Sequence, residues 1–230
     1  WLEVRLVAAL LHELGDPDYA VFASKYVVGV PMGVGVKMPR TPAVFPPKKK
    51  WALERQRDPF VFLDDDLVQP GGRGNYASAV GFEKEVEKVL RKQAAKGQVL
   101  ILPEAEAHRR YPDSLVIASL GAIEKGIDED GDTEVRVLHD GTFTVRLNEA
   151  IRVRDASLFP GAPDLKRLTG VEAESGEPHF ALTLDVSDAH KTILIHPDDW
   201  PRQACQVRPG EDIFMHKTGT FGIASAGYWW

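Results

Sequence analysis

A chain of 230 residues is long enough for one large domain or two small ones, and 43% hydrophobic with 27% charged residues excludes a disordered polypeptide. The net charge of -6 excludes a general nucleic-acid coat, which is basic, but not a protein that confines its positive charge to one groove. The single cysteine, Cys205, excludes an internal disulfide and a cysteine-built zinc cluster. It fits a reducing, intracellular compartment, nuclear or cytoplasmic, and a buried structural thiol. No apolar run reaches bilayer length, so no membrane association is expected. The start lacks a methionine and a leader, and the end, Gly227-Tyr228-Trp229-Trp230, is bulky and apolar, so both ends read as cut from a longer polypeptide.

In chain order, Leu2 to Leu14 has apolar residues at helical spacing and stops at Gly15-Asp16-Pro17. Tyr26 to Pro47, rich in Gly, Pro and Val, predicts irregular or short extended structure. Lys48 to Arg57 reads as a short helix or basic connector, Phe60 to Leu63 as a short strand, and Asp64-Asp65-Asp66 as a solvated acidic turn. Pro70-Gly71-Gly72-Arg73-Gly74-Asn75 lacks the Gly-Lys-Ser/Thr ending of a phosphate loop and reads as a linker. Ser78 to Lys96 is the clearest helix, with Val80, Val86, Val89 and Leu90 as its stripe and Gly97 as its stop.

Val99 to Leu102 then predicts a strand, Leu115 to Lys125 a second helix or mixed segment, and Val135 to Leu138 and Phe143 to Leu147 two strands of a hairpin. Phe180 to Leu184 predicts a buried strand that runs into Asp185, followed by a bent or helical piece and an extended Thr192 to Ile195. The histidines show no His-Glu-x-x-His pattern and the serines no Gly-x-Ser-x-Gly elbow, so neither a zinc hydrolase nor a serine hydrolase is indicated.

Nucleotidyl transfer uses two divalent cations about 4 Å apart, bridged by carboxylates. A carboxylate closing a buried strand is held rigidly enough to fix such ions. Asp185 in Leu182-Thr183-Leu184-Asp185-Val186-Ser187-Asp188-Ala189 has that placement, with Val186 able to add a backbone carbonyl. An aspartate in this position also serves as a cap or turn residue.

The run Leu184-Asp185-Val186-Ser187-Asp188-Ala189-His190 resembles the first palm motif of retroelement reverse transcriptases. Gly219-Thr220-Phe221-Gly222-Ile223-Ala224-Ser225-Ala226 is similar to the second, with Thr220 in place of the usual proline. Val135-Arg136-Val137-Leu138-His139-Asp140, with Val145-Arg146-Leu147-Asn148 beyond it, resembles the fingers hairpin, although the gap between Asp140 and Asn148 is longer than the family's. The likeness covers about Ser78 to Trp230.

It implies an α+β fold of polymerase fingers and an incomplete palm, an antiparallel sheet on helices. The implied segments are 1–75 of unknown role, 76–175 as fingers and 176–230 as partial palm. It implies template-directed DNA synthesis from dNTPs on an RNA or DNA template with a primer, using Mg²⁺ or Mn²⁺. Asp185 would be the catalytic carboxylate and, with the carbonyl of Val186, the metal ligand. Asp188, Ala189 and His190 would border the triphosphate and sugar, with His190 where the family has Phe or Tyr. Arg136, or Arg146 as a fallback, would hold the triphosphate, because a guanidinium grips phosphate oxygens in pairs. Phe221 and Gly222 would shape the nucleotide pocket.

The family's third palm motif, an aromatic, any residue and Asp-Asp, is expected only after Trp230, so this fragment alone is not expected to polymerise. His196-Pro197-Asp198-Asp199 precedes the second motif and reads as a turn. The alternatives are a catalytically dead or domesticated remnant that binds nucleic acid or a protein, and an unrelated α/β domain in which Asp185 is a turn residue.

Overall fold

A computed structural model describes residues 3–36, 38–40, 45–48, 74–128, 131–175, 182 and 185–230. The expected elements at Lys48 to Arg57 (beyond Lys48), Phe60 to Asp66 and Pro70 to Arg73 lie outside the described residues, as does Phe180 to Leu184 apart from an exposed Leu182.

Helix α1 (Val4–Glu13) forms where its spacing predicts and ends in a turn at Gly15. A short α2 (Tyr19–Val21) runs on into one wider turn, Phe22–Tyr26. The following Gly- and Val-rich stretch is irregular, as expected, yet it is core. Val30, Met32, Val34 and Met38 are all buried, with Val145, Leu147, Ile151, Ile195 and Trp229 around them.

Helix α3 (Ala77–Val80) is separated by Gly81-Phe82 from α4 (Glu83–Ala95), so the single helix expected here is two. Glu83 and Glu85 in the first turn of α4 and Lys92 in the last complement the helix dipole. At its end Gly97 takes φ +75°, a left-handed conformation that costs a residue with a Cβ about 1 kcal/mol or more. The Gln98 amide then donates back to the Gln93 carbonyl at 3.0 Å, the 6→1 bond of a Schellman stop.

Strand β1 (Val99–Pro103) leads into α5 (Glu104–Arg110), and β2 (Ile117–Ile127) and β3 (Thr133–Asp140) form a hairpin. Here the structure corrects two expectations. From Ile117 onward the Leu115 to Lys125 segment is strand rather than helix, because Ile117 and Ala118 pair with β4 and Ser119 to Ile127 pair with β3. A segment buried on both faces loses the alternation that marks a strand, and its apolar run reads as helix. Phe143 to Leu147 is not β3's partner. The Asp140 carboxylate accepts from the amides of Thr142 and Phe143 at 2.8 and 3.2 Å and turns the chain away from the sheet. Val145 and Leu147 then bury in the core, and α6 (Leu147–Ala150) starts there.

Helix α7 (Ala162–Ser175) follows, and then a single 3₁₀ turn, Ala189–Thr192. Beyond it the expected extended piece pairs between two segments, Ile195 beside Val30 and Leu194 beside Thr218. A longer 3₁₀ stretch, Pro197–Gln203, carries the chain into β4 (Ala204–Gln206), β5 (Asp212–His216) and α8 (Ala226–Trp229).

The fold is α+β, as expected, but its five-stranded sheet, in the order β1-β5-β4-β2-β3, is mixed and not the expected antiparallel one, because β4 reaches β2 from β5 running in the same direction as β2. Within this sheet, among the described residues, only the β2–β4 pairing is parallel. Period-two alternation sorts the strands between two helices. Phe214, Cys205, Leu120 and Val135 pack with Val86 and Leu90 of α4, while Ile213, Met215, Ala204 and Leu102 pack with Ala107 of α5. Asn75 joins the sheet where β2 and β4 part. Its Nδ2 donates to the carbonyls of Gln206 and Val207, both at 2.9 Å, and its Oδ1 accepts from the Leu120 amide at 2.9 Å.

Candidate functional site

Arg136 lies on the outward face of β3, opposite Ile123, with its guanidinium carbon 5.9 Å from the centre of the Phe221 ring. Phe221 occupies the turn after β5 and is 54% exposed. The ring of His190, on the 3₁₀ turn, meets Phe221 edge-on at 5.2 Å with an interplanar angle of 81°. Three residues assigned from three separate stretches of sequence therefore gather round one aromatic ring. His190 is half-buried, and its Nδ1 is buried with no hydrogen-bond partner among the described residues.

The turn that carries Phe221 is pinned on both sides. On the N-terminal side the Gly219 amide donates to the Ile193 carbonyl at 3.1 Å, and a Cβ on Gly219 would lie 2.7 Å from the His190 carbonyl oxygen. On the C-terminal side a Cβ on Gly222 would lie 1.4 Å from the carbonyl oxygen of His139, so only glycine fits against β3 there. Asn148 closes the join. Its Nδ2 donates to the Gly222 carbonyl at 2.7 Å and to Thr142 Oγ1 at 2.8 Å, and its Oδ1 accepts from the Ala224 amide at 2.8 Å.

Asp140, at the foot of this join, also accepts from the Tyr76 hydroxyl. Burial opposes its charge, but that hydroxyl and the two turn amides outweigh burial and hold the carboxyl below the usual range. Arg146, the fallback phosphate contact, is occupied by Glu149, with its Nε at 2.9 Å and Nη2 at 2.7 Å from one carboxylate oxygen. Arg136 makes no ion pair with the described residues, so its cationic edge is the available one.

Asp185 and Val186 lie in exposed, irregular chain. Asp188 sits at φ +53°, with Oδ1 3.6 Å from the Lys191 ammonium, and Ala189 is half-buried. Burial lowers the Lys191 ammonium's hold on its proton, and Asp188 partly offsets this. The solvent-facing carboxylate of Asp185 and the carbonyl of Val186 are hard oxygen donors of the kind Mg²⁺ and Mn²⁺ take, and they fit such an ion chemically. Among the described residues no three His, Cys, Asp or Glu side chains form a metal-holding group.

Of the Asp198-Asp199 pair, Asp198 is exposed and Asp199 is structural. Asp199 is buried, accepts from the Met32 amide at 2.8 Å, and pairs with Arg202 at 3.0 Å. Burial pushes its carboxyl up, against the pull of those donors.

Two features carry no local sequence signal. The first is the role of Asn148, two of whose side-chain partners, Gly222 and Ala224, lie 74 and 76 residues away. The second is a buried trio under the join. The His139 ring stands edge-on to His216 at 5.5 Å, and His216 Nε2 lies 3.9 Å from the Cys205 sulfur. Burial pushes His139 down to about 4, His216 well below its usual value, and the Cys205 thiol up to about 12.

No protein-family model and no curated protein sequence matches this chain. Among the described residues no helix is long and apolar enough to cross a membrane.

Proposed function

We propose that the chain is the fingers and first palm segment of a reverse transcriptase, acting in template-directed DNA synthesis from dNTPs. The observation that carries the reading is the gathering of Arg136, Phe221 and His190, each assigned from a different motif of the family, about one ring. A guanidinium over an exposed aromatic ring gains about 0.5 to 1 kcal/mol, which is little beside charge-assisted hydrogen bonds to phosphate. Arg136 thus rests on Phe221 when no nucleotide is present and turns to the triphosphate when one arrives. Phe221 offers the flat apolar wall of the nucleotide pocket, and His190 braces that wall by its edge-on contact. Asp185, with the carbonyl of Val186, would hold Mg²⁺ or Mn²⁺. Such an ion supplies charge neutralisation at the reacting phosphate. The protein's own share is positioning: one grip on the triphosphate, one wall, and one carboxylate in a solvent-accessible place.

The test is primer extension on RNA and DNA templates by the polypeptide translated from the complete transcript, with Asp185→Ala beside it. Mg²⁺-dependent extension that vanishes in the variant, with the urea midpoint unchanged, supports the reading. Extension that survives the substitution overturns it. No extension by either protein, together with retained gel-shift binding of primer–template, points instead to a remnant that binds nucleic acid.

A further inference from the structure

Asn148 joins two loops that are remote in sequence, and it does so with both amide hydrogens and the carbonyl oxygen of its side chain. Both amide hydrogens are donated, one to the Thr142 hydroxyl and one to the Gly222 carbonyl, and the amide oxygen accepts from Ala224. A carboxamide is the one group of this size that donates twice and accepts from the same end. A carboxylate would face the Gly222 carbonyl with like charge, and an apolar isostere would leave three groups without partners.

The seat is close-fitting. The Asn148 backbone amide donates to the Gly141 carbonyl at 2.8 Å, and a Cβ on Gly141 would meet Ile223 at 2.9 Å and the Gly222 carbonyl oxygen at 3.0 Å. Gly222 follows directly on Phe221 with Ala224 beyond Ile223, and Gly219, on the other side of Thr220, is held against Ile193 and His190. The Phe221 ring is itself exposed and touches Arg136 and His190 only loosely. Its direction is therefore set by its backbone, and on the C-terminal side the backbone is set by Asn148.

We infer that Asn148 is a positioning residue: its carboxamide bracket on Gly222 and Ala224 holds the Phe221 wall in its place beside Arg136 and His190, where a deoxynucleoside triphosphate would meet it. The inference rests on the polymerase reading of this site. Asn148 touches no substrate and acts through Phe221.

The experiment places 4-fluorophenylalanine at position 221 of the full chain. It records the ¹⁹F resonance and the affinity for Mg²⁺·dTTP in the unaltered protein, in Asn148→Asp and in Asn148→Ala. Circular dichroism checks folding. The isosteric Asn148→Asp decides the matter should the alanine variant not fold. The expected result is a folded Asn148→Asp protein whose resonance moves toward that of the free amino acid, with nucleotide binding about tenfold weaker. An unmoved resonance and unchanged affinity, while the unaltered chain binds nucleotide, overturn the bracket alone. Failure of the unaltered chain to bind Mg²⁺·dTTP overturns the nucleotide reading and the inference with it. In that case a moved resonance records only that Asn148 orders the turn.

Discussion

The α-carbon of Gly222 lies against the carbonyl of His139 so closely that a Cβ would fall 1.4 Å from the oxygen. The contact joins the end of β3 to the turn that carries Phe221, and both sides of it are backbone. No rotamer change can relieve an added methyl. Gly222→Ala is expected to separate the two loops and to lower stability by about 3 kcal/mol or more, as overpacking of a rigid site does. A urea titration measures it. A midpoint shift of less than about 1 kcal/mol equivalent would show that the loops yield easily.

Beneath that contact lie His139 and His216, both buried and neutral. His139 falls from the usual 6.5 to about 4, with burial the main cause, and His216 falls in the same direction, again through burial and then through its neighbours His139 and Lys191. The carbonyl of Ala204 and the charge of Asp140 work the other way on His139 without reversing it. Below pH 6.5 the unfolded chain therefore binds protons that the folded chain refuses. Stability is full above about pH 6.5 and declines as pH falls toward 4, by up to about 1.4 kcal/mol per pH unit for each imidazole. Urea midpoints between pH 7.5 and 5.0 should fall for the unaltered protein and fall less steeply for His216→Leu. Parallel slopes would remove His216 from the account.

Asn75 fills the gap that opens between β2 and β4 after two paired residues. Its three hydrogen bonds go to main-chain groups on both strands. Asn75→Ala is expected to cost about 2 kcal/mol, from two carbonyls and an amide left to find other partners. Hydrogen exchange at the Leu120 amide should quicken in the variant. An unchanged rate would mean that water replaces the side chain without loss.

Cys205 lies in the centre of the sheet, fully enclosed between Phe214 and His216, and burial pushes its thiol up to about 12. Thiolate is the reactive form, so an aromatic disulfide reagent at pH 8 should label Cys205 only at the rate of global unfolding. Labelling within seconds in the absence of denaturant would contradict the packing of β4.

Much of the fold is legible locally. The places of α1, β1 and β3, the stripe of α4 at Val86, Val89 and Leu90 with its Gly97 stop, and the turn at Phe221-Gly222 follow from spacing and turn chemistry within a dozen residues, whereas β3 runs two residues further at each end than expected and Val80, expected on the stripe, is exposed. The segments that mislead do so for physical reasons. β2 is apolar on both faces because it is central, so period two is absent from it. Phe143 to Leu147 alternates like a strand, but the Asp140 carboxylate captures two amides that a strand would have offered to a neighbour. Strands β4 and β5 are short, and their existence depends on β1 and β2, roughly a hundred residues upstream.

The candidate site divides in the same way. The resemblance in the sequence, and not composition or periodicity, singled out the side chains of the proposed site: Asp185 with Val186 as oxygen donors, Arg136 as a phosphate grip, and the aromatic Phe221 beside a glycine. The tertiary structure decided that Arg136, Phe221 and His190 share one place, that Arg146 is taken by Glu149, that Asp199 is committed to Met32 and Arg202, and that Asn148 holds the turn. Periodicity and capping are local interactions written into neighbouring residues. The join of β3's end to the Phe221 turn is a fit between backbones some eighty residues apart, and no pattern within either segment encodes the shape of the other.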